Sequence, residues 1–205
     1  MKKPSCKQCR AKGEKLFLKG EKCYTPKCPM AKRGLALHGK SKRRPALTTY
    51  GKQLTEKQKA KLIYGVRERQ FHRYFDLADQ KKGATPVILS QLLERRLDNV
   101  IFRAGFVSSR ASAKKLISYG HFFLNGRRHT IPSTLVKKGD VISLNPVSLN
   151  KAPFKNIKER LEKSKPPKFL EVDSDKLTIT IKEDPEVEEL DLNIDFPSIV
   201  EFYSK

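Results

Sequence analysis

The chain has 205 residues, of which 44 are Lys or Arg and 22 are Asp or Glu, so its formal net charge at pH 7 is +22. This composition is unusually polar and basic for an ordinary enzyme, and so much like charge indicates a polyanionic partner that neutralises it. No apolar run approaches the about 18 residues of a membrane span, and no apolar segment follows the basic N-terminus as in a signal peptide, so we expect a cytoplasmic protein without membrane contact.

Four cysteines open the chain in a C-x2-C-x13-C-x4-C arrangement: Cys6, Cys9, Cys23 and Cys28. Two pairs of thiols separated by a short loop suit tetrahedral coordination, which predicts one structural Zn²⁺ ion. An iron–sulfur cluster also takes four cysteines and is the alternative, whereas disulfides are disfavoured without a secretory signal. Residues 1–33 are too short and polar to bury a core, so metal binding should itself fold this knuckle.

A basic loop follows, in which Lys42, Arg43 and Arg44 are candidates for contact with RNA phosphates. The letters of 34–41 match the phosphate-loop pattern G-x-x-x-x-G-K-[ST], but that motif works only between a buried strand and a helix. Here cysteine-rich sequence precedes the match and Pro45 follows it. We therefore reject a nucleotide-binding loop.

Two amphipathic helices are predicted next. The first starts at a capping box of Thr55 and Gln58 and, from its apolar spacing, ends near Gly83. The second follows Pro86 and extends to Ile101. Arginines that suit bidentate contact with phosphate lie along both helices and just beyond the second: Arg67, Arg69, Arg73, Arg95, Arg96 and Arg103.

A short capped helix is predicted after these. Ser108 or Ser109 is the N-terminal cap, the helix covers Ala111 to Tyr119, and Gly120 ends it. Residues four apart share one face of a helix, so this helix offers a compact basic face. Its candidate phosphate contacts are Arg110, Lys114 and Lys115.

Short strands are predicted after Gly120. An Asn125-Gly126 turn between short apolar runs is a strong hairpin signal. Residues 150–168 resemble a basic helix stopped by two prolines. The predicted extended segments are Phe122–Leu124, Arg128–Ile131, Val141–Leu144, 169–172 and Leu177–Ile181.

The end of the chain has the opposite charge. Residues 171–205 contain 11 acidic residues and three lysines, a net charge of −8, which leaves +30 for residues 1–170. A basic body with an acidic tail indicates nucleic acid as the partner of the body, and a basic protein surface or the body itself as the partner of the tail. The apolar cluster Ile199, Val200, Phe202 and Tyr203 offers an anchor for docking on the first domain.

The sequence contains few residues whose spacing is typical of a catalytic site. The four histidines, His38, His72, His121 and His129, lie in basic surroundings, and none is spaced with an acid and a nucleophile as a catalytic site requires. The sequence therefore predicts a binding protein and not an enzyme.

Several segments resemble a known family. The stretch RLDNVIFRAGFVSSRASAKKLISYGHFFLNGRR resembles the RNA-binding module named after small-subunit ribosomal protein four, which pseudouridine synthases and some tRNA synthetases also carry. The segments CKQCRAKGEKLFLKGEKCYTPKCPMAKR, LTEKQKAKLIYGVRERQFHRYF and IVEFYSK each resemble the bacterial ribosomal protein family itself, in the form with a four-cysteine metal knuckle. The resemblance covers nearly the whole chain.

The resemblance implies an α+β fold. A mostly helical first domain would carry the N-terminal metal knuckle and surround an inserted RNA-binding module of two helices plus short β-hairpins. The expected divisions are the knuckle at 1–33, the helical domain with its basic loop at 34–94, the module at 95–158, and a C-terminal segment at 159–205 that returns to the first domain.

The resemblance also implies a function. It indicates a structural constituent of the ribosome that binds 16S rRNA as a primary protein and nucleates assembly of the small-subunit body. Ribosomal protein five would be a neighbour near the mRNA entry, with proteins three and twelve as further neighbours, and together they would influence translational accuracy. Positions matching Arg110, Lys114, Lys115, Asn125 and Arg127 lie at or near RNA in the family, and Ser109 and His121 complete the predicted RNA-binding set.

Two other readings are less consistent with the sequence. A pseudouridine synthase with the same module needs a further catalytic domain with an Asp-bearing loop, for which the chain has no room. A zinc-finger DNA-binding regulator needs a recognition helix close to the metal. The sequence after Cys28 gives a loop with Gly and Pro instead.

Overall fold

The computed structural model describes residues 5–32, 47–186 and 193–204. The chain divides into two compact units, the first formed by Met1–Leu89 with Asn193–Lys205 and the second by Ser90–Leu192. The domain boundaries expected from the sequence fall at 33/34, 94/95 and 158/159. The predicted basic loop with Lys42, Arg43 and Arg44 lies outside the described residues.

The first unit begins with the cysteine-rich segment. It contains helix α1 (Cys6–Lys12), a 3-10 turn (Gly20–Cys23) and helix α2 (Pro29–Lys32). The Gln8 side chain accepts a hydrogen bond from the Ser5 amide at 2.9 Å and thereby caps α1. A small apolar core holds the segment together and is formed by Cys9, Leu16, Cys28 and Met30, with Leu18, Leu62 and Ile63 packed against it.

Three helices follow: α3 (Thr49–Tyr64), α4 (Glu68–Asp79) and α5 (Thr85–Glu94). The prediction of one helix from Thr55 to Gly83 is wrong at its start and in its continuity. Thr48 caps α3 instead, because its hydroxyl accepts a hydrogen bond from the Gly51 amide at 3.2 Å. Gly65 ends α3 with a φ of 60°, a left-handed conformation that glycine adopts without a steric penalty.

The second unit contains helices α6 (Leu97–Arg103) and α7 (Arg110–Ser118). The single helix predicted from Pro86 to Ile101 is divided between α5 and α6. The backbone between them pairs with a distant segment: the Val136 amide donates to the Arg95 carbonyl at 2.9 Å, and the Leu97 amide donates to the Thr134 carbonyl at 2.9 Å. Tertiary pairing therefore replaces helix continuation at this point.

Five strands of the second unit form one antiparallel sheet: β1 (Phe122–Leu124), β2 (Arg127–His129), β3 (Val141–Leu144), β4 (Leu170–Asp173) and β5 (Thr178–Ile181). Their order is β2-β1-β3-β5-β4. The predicted hairpins are therefore confirmed only in part, because β3 joins both hairpins into one sheet. Ile142 of β3 pairs with Leu124 on one side and with Ile179 on the other.

The helix predicted over 150–168 is much shorter. Helix α8 covers only Ile157–Lys163, after a 3-10 turn at Ala152–Phe154. Phe154, Ile157 and Leu161 are buried in the core under the sheet. The longest described helix, α3, has 16 residues, and no helix in the described ranges is long and apolar enough to cross a bilayer.

The C-terminal helix α9 (Phe196–Tyr203) belongs to the first unit and packs on α3. Phe196 and Ile199 are its buried residues. The Gln53 side-chain amide of α3 donates to Glu201 at 2.7 Å, and the ring centroids of Tyr50 and Phe202 are 5.4 Å apart. The apolar anchor predicted near the end of the chain therefore lies on the first unit.

Glu68, the first residue of α4, is the polar anchor of α9. Its carboxylate accepts hydrogen bonds from Lys57 at 2.9 Å, from Lys61, and from the Tyr203 hydroxyl at 2.7 Å. Burial alone would raise the pKa of Glu68, but these three donors together lower it to about 2 from an ordinary 4.5. The same contact and the burial of the phenol raise the pKa of Tyr203.

We expect Glu68→Gln to lower the free energy of unfolding by about 1–2 kcal/mol at pH 7, since the carboxylate is half exposed and solvent screens it. A depressed carboxyl pKa stabilises the fold fully above the unfolded value, so in the unsubstituted chain this contribution should decline as the pH falls from about 4.5 to about 2. Urea unfolding between pH 7 and pH 3 measures it. Asp79→Asn, an exposed acid at the end of α4, is the control, and equal effects of both changes would contradict the prediction.

Candidate nucleic-acid interface

The predicted RNA-binding residues differ widely in exposure. Those exposed are Arg67, Arg69, Arg73, Lys115, Asn125 and Arg127. Those half-buried are Arg95, Arg103, Ser109, Arg110 and Lys114. Arg96 and His121 are buried, with exposed fractions of 4% and 8%. Only the first two groups present a surface on which phosphates could bind.

Three of the exposed arginines lie on or next to α4. The opposite side of α4 packs Phe71, Tyr74, Phe75 and Ala78 into the first unit. Arg67, Arg69 and Arg73 therefore remain on the solvent side, as the helical spacing predicts. Arg95, in contrast, is turned toward the protein: its Nε donates to the Val136 carbonyl at 2.9 Å, and its guanidinium pairs with Asp184 at 3.2 Å.

A buried carboxylate organises the arginines of α6 and α7. Glu94 is fully buried, and both of its oxygens accept hydrogen bonds from the Arg103 guanidinium at 3.0 Å. The Asn99 side-chain amide donates to the same carboxylate at 2.6 Å. The side-chain carbonyl oxygen of Asn99, in turn, accepts a hydrogen bond from Arg110 Nε at 2.6 Å. Asn99 therefore links the buried acid to the arginine at the start of α7.

The guanidinium of Arg110 also lies over the Phe102 ring, 4.4 Å from its centroid. A cation over an aromatic face gains electrostatic attraction, and the ring fixes the plane of the guanidinium. Arg110 is therefore held in one orientation, which reduces the entropy that an anion would cost on binding to it.

A second buried carboxylate, Asp98, holds the other cations. Arg96 donates to its two oxygens at 3.0 Å and 2.7 Å, and Lys114 Nζ lies 3.5 Å away. Burial lowers the pKa of Lys114, and the positive charges of Arg96 and Arg110 lower it further, whereas Asp98 raises it. Four cations, Arg96, Arg103, Arg110 and Lys114, thus surround the two buried carboxylates, so this cluster carries a net charge of +2.

Asn125 has a structural role in the turn before β2. It has a φ of 51° and is followed by Gly126 at 75°, both left-handed, as a tight hairpin turn requires. Its side-chain amide donates to Asp140 at 2.9 Å, and its side-chain carbonyl accepts from the Val141 amide at 2.9 Å. The turn is therefore fixed against the start of β3 and leaves Arg127 exposed on β2.

His121 lies inside the second unit. One ring nitrogen, Nδ1, is 2.8 Å from the Ser148 hydroxyl, and the ring packs edge-on against Phe154 at 5.7 Å. Burial lowers the pKa of His121, and so do the cations Lys151 and Arg128. Arg128 is exposed and directly follows Arg127 in the chain. It does not belong to the RNA-binding set that the sequence predicts.

The four cysteines line one small cavity of about 10 Å³ together with Ser5, Leu18, Lys19 and Met30. All four are free thiols. Burial raises the pKa of Cys9, and so does repulsion from the other three sulfurs, although a backbone hydrogen bond from Leu16 opposes this. A cation relieves such repulsion, so the donor set suits Zn²⁺. Within the described ranges, however, no group of three or more His, Cys, Asp or Glu side chains is arranged to hold a metal ion, and the zinc site stays a prediction.

Comparison with known proteins gives matches along the chain. Residues 1–94 match the family described as the ribosomal protein S4/S9 N-terminal domain, and residues 95–142 match the S4 domain. The small ribosomal subunit protein uS4 of Syntrophomonas wolfei is 46% identical over 202 residues, which cover 98% of this chain and 96% of the relative. The proteins of the same description from Caldicellulosiruptor bescii and Thermoanaerobacter sp. strain X514 are 49% and 50% identical, each over 98% of this chain and 97% of the relative. Identity at this level over almost the full length of both chains shows that this chain belongs to the ribosomal protein S4 (uS4) family.

Proposed function

We propose that this chain is a structural constituent of the small ribosomal subunit in the cytoplasm, where it binds 16S rRNA. The family is one of ribosomal structural proteins and not of enzymes. The observation that carries the proposal is the oriented excess of positive charge on α6 and α7, held by the buried acids Glu94 and Asp98. Phosphate groups are the anions that clustered arginine and lysine side chains bind in nucleic acids.

The proposed RNA-binding set follows from exposure. In the second unit it comprises Arg103, Ser109, Arg110, Lys114, Lys115 and Arg127, and in the first unit Arg67, Arg69 and Arg73. Arg96 and His121 support these residues from inside, through Asp98 and Ser148. Asn125 supports Arg127 through the shape of the turn.

We expect the double substitution Arg110→Gln with Lys114→Gln to weaken binding to 16S rRNA and to flatten the plot of log affinity against log salt by about two units. For each phosphate contact that is lost, binding to the RNA releases about one counterion fewer. Filter-binding titrations at several salt concentrations measure both quantities. The matched control is Lys158→Gln with Lys176→Gln, which removes the same charge from exposed lysines of the same unit. A double variant with the unsubstituted slope would contradict the assignment.

We also propose that Cys6, Cys9, Cys23 and Cys28 bind one structural Zn²⁺, with an iron–sulfur cluster as the alternative. The support is that all four thiols line one cavity. The metal would supply folding energy to a segment whose own core is small.

Cys23→Ser should abolish metal binding and disorder residues 5–32, while the sheet of the second unit stays folded. Elemental analysis of anaerobically purified protein distinguishes zinc from iron and gives the stoichiometry. Hydrogen exchange locates the loss of structure. Tyr24→Ser, a change at the exposed next residue, is the control and should keep the metal. Unchanged metal content in Cys23→Ser, or no metal in the unsubstituted protein, would contradict the site.

The family resemblance extends the proposal to assembly and decoding. We propose that the chain nucleates assembly of the small-subunit body and lies beside ribosomal protein five near the mRNA entry, with proteins three and twelve as further neighbours. Exposed acids such as Glu183 and Glu186 support a protein neighbour, because phosphates would repel them. Weakening the contact with ribosomal protein five would then lower translational accuracy.

A further inference from the structure

The ring of Tyr119 is unusually exposed for a large aromatic side chain in the second unit. Tyr119 follows α7 directly, and 67% of its surface is accessible to solvent. Its amide donates to the Lys115 carbonyl at 3.0 Å, so the exposed lysine lies one helical turn before it on the same side of α7. A single exposed aromatic residue is common, and only its surroundings can give it a function.

A second cation, Arg128, packs against the backbone of Tyr119 and Gly120. Arg128 Nη2 donates to the Tyr119 carbonyl at 3.2 Å. The guanidinium lies so close to Gly120 that a Cβ there would be 2.1 Å from Arg128 Nε. The φ of 73° at Gly120 is also left-handed. Glycine therefore permits both the sharp end of α7 and the close approach of the Arg128 guanidinium to the backbone that follows Tyr119.

The inner side of Tyr119 is supported by packed residues. The His121 ring meets the tyrosine edge-on at 6.3 Å, and His121 is itself held by the Ser148 hydroxyl. The positive charges of Lys151 and Arg128 are close enough to His121 that they add to the effect of burial and lower its pKa. The Tyr119 ring thus packs against a histidine that is itself held in place, in a segment that also contains Lys115 and Arg128.

We propose that Tyr119 stacks on an unpaired base of the rRNA while Arg128 and Lys115 bind the flanking phosphates. This inference rests on the proposed function and narrows it to a single-stranded nucleotide. Aromatic rings stack on bases that are free of a duplex, because paired bases expose no face to the protein. Tyrosine and arginine also occur at protein interfaces, but the concentration of positive charge here favours a polyanion.

The test separates stacking from charge. Filter-binding titrations with 16S rRNA should show affinity about tenfold weaker for Tyr119→Ala, with an unchanged slope against log salt, since stacking releases no counterion. Tyr119→Phe keeps the ring and should bind like the unsubstituted chain. Arg128→Gln should weaken binding and also flatten the slope by about one unit. Val147→Ala removes part of an apolar side chain that is 78% exposed and should change nothing.

Each contrary result identifies what fails. If Tyr119→Ala binds 16S rRNA with full affinity while the unsubstituted chain still prefers 16S rRNA to an unrelated RNA of equal length, the stacking proposal alone is overturned. If the unsubstituted chain shows no such preference, the proposed function is overturned as well. If Tyr119→Ala binds rRNA normally but no longer enters small subunits, the ring contacts a protein and the stacking proposal is wrong.

Discussion

Asp98→Ala is expected to lower the free energy of unfolding of the second unit by about 3–5 kcal/mol, because it leaves the buried Arg96 guanidinium without its counter-charge. The substitution also removes the carboxylate nearest to Lys114. Urea unfolding, followed by hydrogen exchange in the sheet peptides, measures the loss. Glu171→Ala breaks the exposed pair with Lys182 and should cost at most about 1 kcal/mol.

A variant that replaces both members of the buried ion pair distinguishes the cost of an unpaired charge from the cost of lost packing. Replacing both partners, as Arg96→Met with Asp98→Leu, should recover part of the lost stability, since two apolar side chains need no counter-charge. The double variant should still bind rRNA more weakly, because Lys114 is no longer held by Asp98. If Asp98→Ala is as stable as the unsubstituted chain, the buried pair does not stabilise this unit.

A chain that ends at residue 192 lacks α9 and should lose much of the stability of its first unit. Phe196 and Ile199 have exposed fractions of 3% and 0%, and burial of two such side chains contributes about 3–6 kcal/mol. The hydrogen bonds of Gln53 and Glu68 with α9 are lost as well. Hydrogen exchange should therefore speed up in α3 and stay unchanged in β1 and β3. A chain that ends at Tyr203 is the control.

The same truncation tests the proposed place in the ribosome. If the second unit is the main rRNA-binding part, the shortened chain should keep most of its affinity for 16S rRNA. A chain that ends at Lys182 also lacks the exposed acids Glu183 and Glu186, so a misreading reporter should rise in cells that carry only this shorter form if those acids meet the protein neighbour. Complete loss of rRNA binding with unchanged accuracy would contradict both assignments.

Local signals account for the parts of the fold that were predicted from sequence. Ser109 and Gly120 bound α7, and the Asn125-Gly126 turn lies between β1 and β2, because a cap and a left-handed turn depend on adjacent residues. The break at Gly65 was missed because apolar spacing continues across it. The start of α3 was missed because this helix is polar on most sides and lacks a clear apolar period.

The candidate site was predicted by residue type but not by arrangement. The sequence identifies Arg110 and Lys114 as candidate phosphate contacts because they are basic. Their orientation depends on Asn99 and Asp98, and nothing in the sequence distinguishes these two residues from other polar residues of a helix. Which acid pairs with which base depends on how α6 and α7 pack, and no local pattern encodes that. His121 was assigned to the RNA surface because a histidine among basic residues gives no sign of its burial.

The first unit is built from two separate stretches of chain, and α9 is synthesised after every residue of the second unit. During translation the second unit can therefore complete its sheet while α3 and α4 still expose the apolar surface that α9 will cover. Closing the first unit then joins two segments that are separated in the chain by the whole of residues 90–192. The order of synthesis thus lets the second unit finish folding, with the RNA-binding residues proposed for it, before the N-terminal unit is complete.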